Sequence, residues 1–319
     1  MTADIVIPVY RPDEKFTRLL LKLQEQSVPP GKIIIVNTGE EYWQDWAKTT
    51  EGLSLPETEV HHISQTEFDH GRTRNLGVSY SDAETVILMT DDAIPADEHL
   101  IGNLLKPFSD PEVGAVYARQ LAGPDAGIAE RFSRDFNYPD RSEKKTLADL
   151  ERLGIKTFFC SNVCAAYRKA YFDKLGGFVD RAIFNEDMVY AANLIDHGYA
   201  VVYAADAQVI HSHSYTNRQQ MQRNFDLAVS QAMHPEVFDR VSSESEGFKF
   251  VKSAFAYFVK NGRPFAIFPF VITSAYKYFG YRAGRRYREL SKEKILGYTM
   301  NRTFFMNLWE NDRIGEKDV

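Results

Sequence analysis

The sequence predicts a doubly wound α/β domain followed by a helical extension, and three observations carry that prediction. Short, continuous β-branched runs recur along the first two-thirds of the chain, as in Ile5–Val9 (IVIPV), Ile33–Val36 and Thr85–Thr90 (TVILMT). Amphipathic stretches alternate with them. Beyond a polar break, SSESEG, the chain turns basic and aromatic.

Taken in order, Ile5–Val9 is expected as the first strand and Glu14–Gln26 as the helix after it. Ile33–Val36, bounded by Gly31 and Gly39, is the second strand, and Val60–Ile63 a third. Arg72–Tyr80 has a helical pattern, and Thr85–Thr90 is a fourth, central strand. The pattern continues through Val113–Tyr117, Phe158–Tyr167 and Ala207–Ile210. Runs apolar at every position suit strands buried on both faces of a mostly parallel sheet. Ligands of such sheets bind beyond the carboxyl ends of the strands. That rule singles out Tyr10, Arg11, Asn37–Glu40, Asp91, Asp92, Asn162 and His211–His213.

Composition narrows the class. At 319 residues, 44% hydrophobic and 26% charged, the chain matches an ordinary soluble globular protein. Its two cysteines, Cys160 and Cys164, make no disulfide framework and are expected as core thiols. The opening MTADIVIPVY shows no signal peptide. The longest uncharged stretch, Pro264–Tyr276, spans 13 residues, short of the ~20 that a membrane-crossing helix needs. A cytoplasmic protein is expected, with no nucleic-acid partner. A boundary falls between Glu236 and Gly247, separating a domain over 1–240 from an extension over 241–319. From Lys249 to Lys292 there are ten Lys or Arg and one acidic residue, Glu289; this net +9 leaves −15 for the rest of a chain of formal charge −6. Interleaved aromatic residues suit either a membrane surface or packing on the first domain or on a second subunit, as in a homodimer.

Four constellations can carry chemistry. Asp91-Asp92 ends an apolar strand, where carboxylates hold Mg²⁺ or Mn²⁺; the alternative is a helix cap near Pro95. Phe184–Met188 (FNEDM) opens a helix, and Asp187 there is placed either to act as a general base or to cap the first turn. In His211–Tyr215 (HSHSY), His211 and His213 share a side if the strand continues, and either can join Asp92 on a metal. In Phe68–Gly77 (FDHGRTRNLG), the helix entry at Gly71, with Arg72 or Arg74, can meet phosphate or nucleobase.

In this order the pieces resemble the family 2 glycosyltransferases, and among them the bacterial rhamnosyltransferases. IPVYRP looks like the family's nucleotide-binding first strand, FDHGRTRN is similar to its FDHGxTRN signature, and MTDDAIP resembles the TQDAxP form of its DxD motif. HSHSYTNRQQMQRNFDLAV and FGYRAGRRYREL extend the likeness over nearly the whole chain. The resemblance implies a GT-A fold, Rossmann-like, with a C-terminal helical extension. It implies transfer of L-rhamnose from dTDP-β-L-rhamnose to a hydroxyl of a lipid-linked saccharide, with inversion and a divalent metal, in cell-surface polysaccharide synthesis. Carried over by position, Asp92 is the metal and diphosphate ligand, with His211 the preferred further metal contact and His213 the second choice. Asp187 is the base. Pro8, Tyr10, Asn37, Asp69, Gly71, Arg74, Asn75, Asp91 and Asp92 face the nucleotide sugar. Thr90 stands where a full DxD motif has its first Asp. Asp125–Lys156 is expected to shape the acceptor side. A nucleotidyltransferase is disfavoured because IPVYRPDEKF contains no glycine for a phosphate loop. The alternatives are a family 2 transferase using another donor, such as a UDP-sugar, and a nucleotide-sugar-binding protein without turnover.

Overall fold

The computed structural model describes residues 2–213, 215–241 and 244–315. Nine strands form one sheet: β1 (Ala3–Tyr10), β2 (Ile33–Thr38), β3 (Glu59–Ile63), β4 (Thr85–Met89), β5 (Ile94–Pro95), β6 (Val113–Leu121), β7 (Glu143–Lys145), β8 (Cys164–Arg168) and β9 (Ala200–Ile210). Their order is β3-β2-β1-β4-β8-β6-β9-β5, with β7 also on β9. The runs predicted as doubly buried strands are so: Ile5, Val6, Ile7, Ile34, Ile35, Val36, Ile87 and Leu88 are all buried. Helix Glu14–Gln24 is capped by the Asp13 carboxylate, which accepts from the Lys15 and Phe16 amides. It lays Phe16, Leu19, Leu20 and Leu23 into the core on one face of the sheet, each such burial stabilising by about 1.5–3 kcal/mol.

The sheet keeps its longest ladders parallel, as expected, and adds antiparallel ones. The pairs β1–β2, β1–β4, β2–β3 and β6–β9 are parallel, whereas β4–β8, β6–β8, β5–β9 and β7–β9 are antiparallel. The reversal has a consequence for the site. Because β8 runs against β4, pairing Met89 with Cys164, the loop before β8 reaches the edge where β4 ends. The strand expected from Phe158 starts only at Cys164; Gly154–Phe158 is a 3₁₀ turn, and Asn162 precedes the strand. Both cysteines are buried and free.

The C-terminal helices are built onto the sheet domain. Helix Ile267–Arg285 lies along helix Asn217–Met233, with Gly280 so close that a Cβ there would collide with the Met221 carbonyl. Ala254 and Phe258 of helix Glu244–Lys260 and Phe270 of helix Ile267–Arg285 enclose Phe132 of helix Ile128–Asn137. Apolar packing thus crosses the boundary expected near residue 240. Among the described residues, no helix is long and apolar enough to cross a membrane.

Candidate active site

Three side chains converge at one edge of the sheet. β5 pairs antiparallel with β9, Ile94 opposite Ile210, and this short ladder swings the turn after β4 against the end of β9. Asp92 therefore meets both histidines: its carboxylate lies 3.4 Å from His211 Nε2 and 3.3 Å from His213 Nε2. The two Nε2 atoms are 2.8 Å apart, and the three ligand atoms lie within 4.8 Å of one another. Burial alone would raise the Asp92 pKa, but His211, His213 and Thr90 outweigh it and hold the carboxylate below its usual range. Burial and His211 push His213 down to about 4, so near neutral pH its ring is a neutral ligand.

The far side of His211 is fixed by residues that sequence reasoning missed. Arg134 donates to Gln120 Oε1. Because a guanidinium can only donate, this contact orients the Gln120 amide. Its Nε2 then donates to Tyr138 OH at 2.6 Å and Ser161 Oγ at 2.9 Å. Gln120 Oε1 lies 3.1 Å and Arg134 Nη2 3.3 Å from His211 Nδ1, so the ring is held from behind with Nε2 turned to Asp92 and His213. A metal-binding imidazole is braced in this way, and one carboxylate with two imidazoles suits a divalent cation. The donor set fits the metal expected of it.

The same bracing reaches Asp187. Ser161 precedes Asn162, whose backbone amide donates to Asp187 Oδ2 at 2.9 Å while its side chain donates to Glu186 Oε1 at 3.0 Å. Asn185, in the left-handed region at φ 60°, turns the chain so that both carboxylates open helix Glu186–Asp196. Their roles separate by surroundings. Glu186 is buried against Arg74, 3.4 Å away; burial would raise its pKa, but Arg74 and His70 hold it low. Asp187 is half-buried, and burial, then the Glu186 charge, push its pKa up.

The FDHGRTRN segment is held within the protein. Asp69, Gly71, Arg74 and Asn75, expected against the nucleotide, each have partners in the chain itself. Asp69 Oδ1 occupies the Gly71 and Arg72 amides, the donors a phosphate would need. Arg74 is buried on Glu186 and the His70 carbonyl. Asn75 bonds both backbone groups of Phe178, and a Cβ at Gly71 would strike the Val179 carbonyl. The segment clamps the chain leading to Glu186 and Asp187.

An aromatic pair lies at the ends of β1 and β2. Tyr10 and Tyr42 meet edge to face with centroids 5.5 Å apart, and the Arg11 guanidinium lies over both rings. Asn37 is fully buried and donates to the Gly39 carbonyl; Pro8 is half-buried within β1. Asp91 turns away from the histidines and accepts from the Tyr10 amide at 3.5 Å; burial and Asp92 push it up to about 7. An open groove of about 730 Å³ between the first two helices shares Arg11 and Tyr42 with this surface but none of the carboxylates or histidines above.

Residues 4–176 match the family model described as glycosyl transferase family 2. The chain belongs to this family. It is 38% identical over 311 residues to the O-antigen chain rhamnosyltransferase RfbN of Salmonella typhimurium, covering 97% of each chain. It is 34% identical over 310 residues to the O-antigen chain rhamnosyltransferase WbaN of Salmonella anatum, covering 95% of this chain and 96% of that one. A solved structure of the mannosyltransferase PcManGT from Pyrobaculum calidifontis, in complex with GDP-Man and Mn²⁺, shares the fold at a TM-score of 0.59 and 16% identity, covering 88% of this chain and 86% of that one. The fold of this family 2 chain is thus of the GT-A kind. One further residue stands out within it. Arg223 lies 4.6 Å from the Phe184 ring and 5.7 Å from that of Tyr215, between FNEDM and HSHSY, and shows no salt bridge to a described residue.

Proposed function

We propose that this family 2 enzyme transfers L-rhamnose from dTDP-β-L-rhamnose to a hydroxyl of a lipid-linked saccharide, with inversion, at the cytoplasmic face of the membrane during cell-surface polysaccharide synthesis. The observation that carries the chemistry is the connection of two groups through Gln120, Ser161 and Asn162: a ligand set for a divalent cation and a carboxylate of raised pKa. The rhamnosyl donor is supported by the names of the two relatives.

In this reading Tyr10, Arg11 and Tyr42 receive the base, which stacks on aromatic and guanidinium planes. Asp92, His211 and His213 would hold Mn²⁺ or Mg²⁺, which offsets negative charge on a departing diphosphate. Arg223, which makes no salt bridge to a described residue, supplies a second positive charge for that diphosphate. Asp187 accepts the proton of the acceptor hydroxyl. The acceptor oxygen bonds to the anomeric carbon as the bond to the diphosphate oxygen breaks, giving an α-rhamnoside and dTDP. Glu186 and Arg74 hold Asp187 in place and take no part in proton transfer.

The test is transfer from dTDP-rhamnose, UDP-sugars and GDP-sugars by the parent and by Asp187→Asn. Rhamnosyl transfer by the parent alone, with nucleotide binding kept in the variant, is expected. Turnover of a UDP-sugar in preference would remove rhamnose, and normal turnover by the variant would remove the base.

A further inference from the structure

The helices Glu244–Lys260 and Ile267–Arg285 have one face packed on the protein and one left open. Inward, Ala254, Phe258 and Phe270 pack on Phe132, and Gly280 abuts Met221. Outward, Val259 is 61% exposed, Phe265 91%, Phe268 74% and Phe279 65%. Phe268, Ile272, Ala275 and Phe279 recur at helical spacing on one exposed stripe. Lys252, Lys260, Arg263 and Arg282 are exposed beside it, and the sequence has no Asp or Glu between Glu246 and Glu289. Isolated exposed apolar residues need no explanation, but an exposed apolar stripe accompanied by exposed cations does.

We propose that this outer face docks on an anionic phospholipid bilayer, with helix Ile267–Arg285 lying in the plane of the interface and Phe265 and Phe268 entering the headgroup boundary. The chemistry selects this occupant. Aromatic rings favour the boundary between headgroups and acyl chains, Lys and Arg favour anionic headgroups, and a carboxylate would be repelled. A second copy of the chain fits less well, because a two-fold contact would set the same cations against one another. The helix carries Lys277, Arg282 and Arg285 and does not cross a membrane, so it lies on the surface.

The docking face stands on the elements that carry the metal-ligand cluster. Thr273 Oγ1, midway along the helix, donates to Asn217 Oδ1 at 2.8 Å, just past His213 in sequence. Phe132, under both helices, sits on the helix that brings Arg134 to 3.3 Å from His211 Nδ1. Docking would therefore hold the site beside the layer in which a lipid-carried acceptor resides. That last step rests on the proposed function; the docking itself does not.

The experiment is co-sedimentation of the full chain with vesicles of phosphatidylcholine, with and without phosphatidylglycerol, at low and high salt. Two variants accompany it, Phe265→Ser/Phe268→Ser and Lys260→Glu/Arg263→Glu, with circular dichroism to verify folding. The parent is expected to bind the phosphatidylglycerol vesicles, to release them in high salt, and to lose affinity by about tenfold or more in each variant. Transfer to a water-soluble acceptor should be unchanged in both variants. Absence of binding to anionic vesicles, or variants that bind like the parent, would overturn the proposal. So would a parent that sediments as a dimer and becomes monomeric in the phenylalanine variant, since the face would then belong to a second copy. Vesicle binding is scored without donor or acceptor, so a failure of docking and a failure of rhamnosyl transfer are separate results.

Discussion

Replacing Gln120 separates a braced metal-ligand site from a chance meeting of histidines. Gln120→Leu removes the oxygen that accepts from Arg134 and lies 3.1 Å from His211 Nδ1. It also removes the donor to Tyr138 and Ser161. Without Gln120 behind Nδ1, His211 no longer turns Nε2 reliably to Asp92 and His213. Loss of such a second partner costs about 10–100-fold in metal affinity, or about 1.4–2.8 kcal/mol. The buried groups left behind cost about 1–3 kcal/mol each in stability, so affinity must be read below the lowered melting point. Gln120→Glu is the control. Its carboxylate still accepts from Arg134, more strongly for its charge, keeps an oxygen beside Nδ1, and accepts from the two hydroxyls by their rotation. Mn²⁺ affinity, titrated by paramagnetic resonance of the free ion with dTDP present, should fall in the Leu variant and hold within about threefold in the Glu variant. A Leu variant that binds Mn²⁺ like the parent would refute the bracing.

Three further outcomes are expected. Burial and Glu186 raise the Asp187 pKa and the base works only when ionised, so kcat/KM should climb with pH above the ordinary carboxylate range; in Glu186→Gln that limb should move to lower pH, and an unmoved limb would contradict the coupling. Arg223→Ala should raise KM for the nucleotide sugar by about tenfold or more, the loss of a charge-assisted contact, with folding intact; an unchanged KM would detach Arg223 from the donor. Gly280→Ala should lower stability by about 1–3 kcal/mol in thermal unfolding, because its methyl meets the Met221 carbonyl; an unchanged melting point would contradict the close helix contact.

Much of the sheet was legible because burial on both faces leaves no room for polar residues, and IVIPV, IIIV and TVILM carry that constraint openly. The strand ends were legible for the same reason: Asp92, His211 and His213 are the polar residues at which apolar runs stop. What joins them was not. The ladder that brings Asp92 to His211 is the two-residue strand Ile94–Pro95, too short to leave a periodic signal. Gln120 gave no warning either, since a glutamine near the end of a strand looks like a solvated one until Arg134 is seen to orient it. The internal partners of FDHGRTRN were hidden for a related reason. An arginine and a glycine at a helix entry look alike whether the partner is a phosphate or Glu186, and only the fold shows that Asp69 has already taken the free amides. The reversal of β8, which carries Asn162 to Asp187, likewise follows from pairing and not from composition.

The most direct test of metal-dependent rhamnosyl transfer is equilibrium binding of dTDP, UDP and GDP, first with Mn²⁺ and then with a chelator. Preference for dTDP that disappears on chelation, and disappears equally in Asp92→Asn, is the expected result. Binding indifferent to both metal and base, or absent for all three nucleotides, would contradict the assignment of donor and site together.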